Sequence, residues 1–224
     1  MIEVKNLIKT YKDGAVETHV LKGINFSAKE KDFVAIMGRS GAGKSTLLYQ
    51  MSMLDDPTSG EIKIDGVNVL NLPQNKRSAF RLKELGYVFQ DYALLPDLTA
   101  LENVALPLLM KGESKKKAYA HAKEMLEKVG LGNRINNVPS NLSGGEQQRV
   151  SVARAIVHKP KILFADEPTA NLDNVSSEQV MSIFIELNKQ GQTIIMVTHE
   201  DEYAKAAKRI VRLDDGKIIS DEEN

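Results

Sequence analysis

The chain of 224 residues contains no cysteine. Disulfides and thiolate metal sites are thereby excluded, and the composition fits a reducing compartment. Net charge is also missing, since thirty Lys and Arg balance thirty Asp and Glu. No global basic field exists to hold a nucleic-acid backbone, so no nucleic-acid partner is expected. Long apolar runs are absent. The longest, such as Ala105 to Met110, fall far short of the ~20 residues of a membrane helix. Any role at a membrane must therefore run through a partner. Met1-Ile2-Glu3-Val4-Lys5 is a charged strand pattern and not a signal peptide. There is no internal repeat and no low-complexity linker. What remains has ordinary globular composition, in a length that suits one domain or one domain with an inserted lobe.

One stretch organises the chain. Gly38-Arg39-Ser40-Gly41-Ala42-Gly43-Lys44-Ser45, followed by Thr46, fits the G-x-x-x-x-G-K-[ST] phosphate-binding loop. The apolar run Phe33 to Met37 before it reads as a buried strand, and Lys44 to Met51 after it as a helix. Glycines let consecutive backbone N–H groups converge on an anion, and the helix N-terminus adds positive potential. Lys44 supplies a full charge to the β- and γ-phosphates. Such a pair 4 Å apart is worth ~4 kcal/mol in a partly screened site. Ser45 offers a hydroxyl to Mg²⁺.

The rest of the chain alternates in character. Residues 1–37 read as strands and turns, with Tyr11 closing the first strand before the turn Lys12-Asp13-Gly14. Position alone makes Tyr11 a strand-packing residue. A hairpin follows at Glu61 to Gly66, then a charged helix from Gln74 to Glu84, then a buried strand from Leu85 that ends in Gln90. Helical periodicity takes over beyond this point. Thr99 to Glu102 is a capping box whose helix Pro107 is expected to kink or end. Ser114 caps a second helix with Lys115, Lys116 and Lys117 in its first turn, which reads as a solvated face. Ser143 to Glu146 opens a third helix with Val150, Ala153, Ile156 and Val157 on one side. Lys161 to Ala165 is a buried strand, Ser176 to Gln190 a helix, Thr193 to Val197 a strand, and Glu202 to Ala207 a short helix. Arg209 to Leu213 and Lys217 to Ile219 form a hairpin, and Asp221 to Asn224 are expected to fray.

Two further stretches carry chemistry. Asp166-Glu167 ends a buried strand, at the end where such sheets bind ligands. Asp166 there can orient Mg²⁺, and Glu167 can take a proton from water in line with a γ-phosphate, a contribution of ~10²–10⁴-fold. Leu142-Ser143-Gly144-Gly145-Glu146-Gln147-Gln148-Arg149 repeats the physics of the phosphate loop. Ser143 is an N-cap, and two glycines bare backbone N–H groups at a helix start. Capping explains Ser143 and Glu146. It does not explain adjacent glycines, each of which costs helix stability by ~1 kcal/mol. A second anion site in a chain with one phosphate loop points to two copies facing each other.

The set GRSGAGKST, LSGGEQQR, ILFADEP, NLD and VTHE, in this order, resembles the ATP-binding subunit of ABC transporters over nearly the whole chain. The resemblance implies an α/β P-loop NTPase (RecA-like) core with an N-terminal antiparallel β subdomain and an inserted helical subdomain. Residues 1–224 would form one ATPase domain, with 1–90 and 159–224 as core and 91–158 as the helical signature subdomain. It implies Mg-ATP hydrolysis, with Gly38, Arg39, Ser40, Gly41, Ala42, Gly43, Lys44, Ser45 and Thr46 as the Walker A loop. By resemblance Glu167 is the catalytic base, Lys44 and His199 act at the γ-phosphate, and Ser45, Gln90 and Asp166 serve Mg²⁺. Ser143, Gly144 and Gly145 look like the signature that binds ATP held by the opposite copy, Asp173 like the D-loop acid at the dimer seam. Tyr11 then looks like the aromatic that stacks on adenine. The implied partners are a second copy, on ATP binding, and integral membrane permease subunits. The implied location is cytoplasmic, peripheral on the inner face of the cell membrane.

Within the superfamily, DYALLPDLTALENVALPLL resembles the lipoprotein-releasing, macrolide-exporting and peptide-resistance branch, although Arg39 and Ala170 depart from its commonest pattern. An ABC-type ATPase regulating a membrane complex in cell division is the alternative. A DNA-repair member would show a long coiled coil, and no sustained heptads occur. A GTPase is disfavoured because Asn188-Lys189-Gln190-Gly191 lacks the aspartate of a guanine-reading N-K-x-D element.

Overall fold

The computed structural model describes residues 1–14 and 16–224. In chain order the elements are β1 (Ile2–Asp13), β2 (Val16–Ala28), β3 (Phe33–Met37), α1 (Lys44–Met51), β4 (Ser59–Ile64), β5 (Val67–Asn68), α2 (Gln74–Glu84), β6 (Leu85–Val88), α3 (Ala100–Met110), α4 (Lys115–Lys128), α5 (Gly144–Ile156), β7 (Ile162–Asp166), α6 (Asn174–Lys189), β8 (Thr193–Val197), α7 (Asp201–Ala204), β9 (Arg209–Asp214) and β10 (Lys217–Glu223). The mixed α/β architecture expected from the sequence is present. The chain forms two compact units, Met1–Arg81 with Gly191–Asn224, and Leu82–Gln190.

The first unit holds an antiparallel sheet in the order β2-β1-β4-β5. In β1, Ile2 and Val4 point inward and Glu3 and Lys5 outward, the period-2 pattern of a half-buried strand; after a register shift the inward positions are Leu7 and Lys9. The same unit pairs β3 in parallel with β8 on one side and β9 on the other, with β10 antiparallel to β9. All five residues of β3 and of β8 are buried. Continuous apolar strands of this kind belong in sheets covered on both faces.

The second unit pairs β6 in parallel with β7 and packs α3, α4 and α5 around one core. Val104, Ala105, Leu108, Ala118, Ala122, Leu126, Val150 and Ala153 form its centre. Both expected capping boxes are formed, at Thr99 with Glu102 and at Ser143 with Glu146.

Of the two outcomes expected at Pro107, the helix end does not occur, since α3 continues to Met110 with Pro107 inside it. Leu108, one residue on, is 3% exposed in the core. Two further expectations are corrected. The chain end does not fray. Asp221, Glu222 and Glu223 pair with Val211, Ile210 and Arg209, and the Asn224 amide donates to Lys205 O and Ala207 O. The short helix expected over 202–207 occupies Asp201–Ala204.

Candidate functional site

In the first unit the phosphate loop runs from β3 into α1 as the sequence requires. Gly43 is the N-cap of α1 in the left-handed region (φ 99°) and brings no side chain to the helix start. Gly38 lies so close to the Leu213 carbonyl that a Cβ would overlap it. Gly216 N donates to Ala42 O at 3.1 Å, which ties the loop to the turn after β9. Lys44 is 6% exposed, and its Nζ donates to Arg39 O at 3.2 Å, so its charge is held over the loop it follows. An anion seated there would meet that ammonium with little water between, where Coulomb attraction is strongest. Arg39, Ser40 and Gly41 are exposed, while Ala42 and Gly43 are buried and Ser45 and Thr46 half-buried. Leu47, Leu48 and Met51 bury the far side of α1. His199 is exposed, just beyond β8. Its neighbours are fixed, because Thr198 N donates to Ile36 O and Glu200 N to the Thr198 hydroxyl. Tyr11 stands at 42% exposure near the end of β1, with its hydroxyl donating to Asp55 Oδ2 at 2.8 Å. Burial first, and then the Asp55 carboxylate, push this phenol above its ordinary value.

In the second unit β7 ends on Asp166, 4% exposed, to which Tyr87 Oη donates at 3.4 Å. Glu167 follows at φ 44°. A non-glycine residue in this region is strained and marks a place where surrounding structure dictates the backbone. At the start of α5, Ser143 is exposed. Its Oγ accepts from Glu146 N at 3.2 Å, and its own N–H donates to Glu146 Oε2 at 2.9 Å. Arg134 Nε reaches Glu146 Oε1 at 3.0 Å. Gly144 is half-buried and Gly145 buried. A Cβ on Gly145 would meet Ser176 Cβ at 2.6 Å, so helix packing supplies a reason for that glycine that the sequence does not reveal. Asp173 is the N-cap of α6, accepting from Ser176 N at 2.9 Å and from its hydroxyl at 2.8 Å. The backbone bond from Ser176, joined by its hydroxyl, holds this carboxyl below the ordinary aspartate value.

Gln90, Glu167 and the LSGGE helix are linked within this unit by residues that the sequence did not single out. Gln148 of α5 is fully buried. Its Nε2 donates to Pro168 O at 2.8 Å and Phe89 O at 3.4 Å, on the segments that carry Glu167 and Gln90. Asn171 Nδ2 donates to Gln90 O at 3.1 Å, and Arg154 donates to Tyr92 O and Ala93 O at 2.9 and 2.6 Å. The missed signal is a second buried face of α5. Gly145, Gln148 and Val152 recur at helical spacing beside the apolar face of Val150, Ala153 and Val157.

A strand–loop–helix phosphate cradle, in an α/β fold with a buried strand that ends in Asp-Glu, defines the class of P-loop nucleotide hydrolases. The profile of a family described as ABC transporter matches residues 21–170. The chain is 51% identical over 219 residues to the uncharacterized ABC transporter ATP-binding protein MJ1508 of Methanocaldococcus jannaschii, covering 98% of each. It is 44% identical over 218 residues to the lipoprotein-releasing system ATP-binding protein LolD of Aquifex aeolicus, covering 97% of this chain and 94% of that one. Macrolide export ATP-binding/permease proteins named MacB also match, and the chain spans 31–34% of their length. A solved dimer of the ATP-binding cassette MJ0796, in a post-hydrolysis state with ADP and Pi, superposes with a TM-score of 0.94 at 41% identity, covering 100% of this chain and 98% of that one. The chain belongs to the ABC transporter family, as an ATP-binding, ATP-hydrolysing cassette. No helix among the described residues is long and apolar enough to cross a membrane.

Proposed function

We propose that this cassette closes as a homodimer around two ATP molecules and powers separate transmembrane permease subunits, for transport or extraction of a substrate. The observation that carries this reading is the Ser143-capped start of α5, with Ser143 exposed. It is a second anion-seeking helix end in a chain that already has a phosphate loop. The MJ0796 cassette, so similar in fold, is itself a dimer with ADP and Pi. In this reading one γ-phosphate is held by Lys44 of one copy and by Ser143, Gly144 and Gly145 of the other. Residues Gly38 to Thr46 cradle the phosphates, Tyr11 stacks on adenine, and Asp173 shapes the dimer seam. Glu167 accepts the proton of the attacking water, worth ~3–5 kcal/mol of barrier, and His199 contacts the γ-phosphate.

Mg²⁺ fits the residues assigned to it. The Ser45 hydroxyl, the Gln90 amide oxygen and the Asp166 carboxylate are all hard oxygen donors with a single negative charge among them. An ion that keeps waters and phosphate oxygens asks for such a set and not for an all-protein cage. When bound, Mg²⁺ supplies positive charge to the β- and γ-phosphates.

Residues 1–90 and 159–224 serve as the core in this reading, and 91–158 as the helical lobe that passes motion to the permease near Gln90. The cassette would sit in the cytoplasm, peripheral on the inner face of the cell membrane. The LolD relative favours the extraction or export branch. The test is Glu167→Gln. Light scattering at saturating Mg-ATP is expected to show a stable dimer, while phosphate release falls at least ~100-fold. Near-normal hydrolysis would remove Glu167 from its role. A variant that stays monomeric, alone and with its membrane subunits, would overturn the dimer and the transport reading together.

A further inference from the structure

We infer that Asp55 is a positioning residue for the nucleotide base: its carboxylate holds Tyr11 and Lys9 of β1 against α1, so that the strand facing the base and the helix opening from the phosphate loop are set by one side chain. The inference rests on the proposed stacking of Tyr11 on adenine and deepens it by naming what fixes the ring.

Asp55 lies in the turn that follows α1. Four groups converge on its two oxygens. Lys9 Nζ donates to Oδ1 at 3.0 Å and lies 2.8 Å from Oδ2. Asp56 N donates to Oδ1 at 2.8 Å. Tyr11 Oη donates to Oδ2 at 2.8 Å, and Gln50 Nε2 donates to Oδ2 at 3.0 Å. A carboxylate has about four acceptor positions, and here all are used. Rotating it breaks several bonds together, so its orientation is over-determined. Burial alone would raise this carboxyl, but hydrogen bonds led by Lys9 and Tyr11 outweigh it and keep the group charged.

The partners matter as much as the hub. Lys9 is 9% exposed. Its ammonium also donates to Asp56 O at 2.5 Å and lies 4.6 Å from the centre of the Tyr11 ring, within cation–π range. Gln50 is fully buried and belongs to the helix that begins at Lys44. The phenol is thus tied at its oxygen while a cation holds its ring. An aromatic fixed before the base arrives does not lose that freedom on binding, and preorganisation of this kind appears as affinity. If Asp55 merely braced the turn, its loss would lower fold stability and weaken every ligand of the loop alike. If it positions Tyr11, its loss weakens the base and spares the phosphates.

The experiment is calorimetric titration of the full chain with ATP and, separately, with inorganic tripolyphosphate. The variants are Tyr11→Phe, Asp55→Asn, the pair combined, and Tyr11→Ala. Tyr11→Phe keeps the stacking face and removes the hydroxyl that bonds Asp55. It is expected to weaken ATP about three- to tenfold while tripolyphosphate shifts less than about twofold. Asp55→Asn is expected to match it, and the combined variant to be no weaker than the worse single, because both changes cut one link. Should Asp55→Asn fail to fold, Tyr11→Phe decides alone. If Tyr11→Ala weakens ATP but Tyr11→Phe and Asp55→Asn do not, the positioning role is overturned and stacking stands. If Tyr11→Ala leaves ATP binding intact, the stacking reading falls and takes the inference with it. Equal weakening of ATP and tripolyphosphate by Asp55→Asn would make Asp55 a brace and nothing more.

Discussion

The two glycines of the LSGGE stretch should respond differently to alanine. In a helix interior alanine is favoured over glycine by ~1 kcal/mol, so propensity alone makes both changes neutral or mildly stabilising. Packing separates them. A Cβ on Gly145 would stand 2.6 Å from Ser176 Cβ and would overlap its hydroxyl. Ser176 cannot swing aside freely, because its N–H and hydroxyl both bond Asp173. Either α5 and α6 part or the α6 cap breaks, and overpacking of this kind costs ~1–3 kcal/mol. Against the propensity gain, Gly145→Ala should lose up to about 2 kcal/mol. At Gly144 the nearest atom is the Tyr92 hydroxyl at 2.8 Å. That is the far end of a half-buried side chain held by one long bond, 3.4 Å, to Asn171 O, so it can move. Gly144→Ala should therefore stay within about 0.5 kcal/mol of the parent. It should nevertheless weaken ATP-driven dimerisation about tenfold, since the new methyl crowds the N–H groups offered to the γ-phosphate. Urea denaturation reads the first quantity and light scattering against ATP concentration reads the second. The reasoning is refuted if the two variants lose equal stability, or if Gly144→Ala dimerises like the parent.

At Gln148, replacement by Glu should cost more than replacement by Leu, about 3 kcal/mol against about 1–2. A buried carboxylate offers no donor to the Pro168 carbonyl, whereas Leu leaves it unpaired without adding charge; equal melting losses would remove these hydrogen bonds as the cause. Acid should act through the two capping boxes. Backbone N–H groups of Thr99 and Ser143 hold Glu102 and Glu146 below the ordinary glutamate value. A depressed carboxyl stabilises fully above its unfolded value and loses that contribution as pH falls through its lower folded value. Stability measured from pH 6 down to pH 2 should decline below about 4.5, and changing both residues to Gln should flatten that part of the curve.

The phosphate loop and the buried strands were legible because their determinants are local. Eight contiguous residues set the loop, and runs such as Phe33 to Met37 can only be interior. Determinants that lie far apart in sequence stayed hidden. Gln148 works through carbonyls 20 and 59 residues away, and a carbonyl has no letter in a sequence. The paired end of β10 reads Asp-Glu-Glu, with no apolar signal. It is held by ladder bonds to β9 and by Arg209, whose Nε and Nη2 each lie 2.5 Å from the Asp221 carboxylate.

Three of the motifs used to recognise the chain coincide with helix starts: Gly43 at α1, Ser143 at α5 and Asp173 at α6. The coincidence has a physical source, because the first N–H groups of a helix lack intrahelical partners and must be given to a cap or to a ligand. The sequence cannot distinguish these uses, and the structure does. At α1 the cap is a glycine that makes no side-chain bond, so no cap side chain competes with a phosphate for those N–H groups. At α5 the Ser143 hydroxyl already accepts from Glu146 N, and at α6 Asp173 already accepts from Ser176. A phosphate approaching Ser143 must exchange one hydrogen bond for another, which is worth little net. Affinity at that end must then come from charge meeting the helix start and from the area that two copies bury. On the proposed reading, one copy would hold the nucleotide by its own loop, and the α5 end would contribute only when a second copy brings it there.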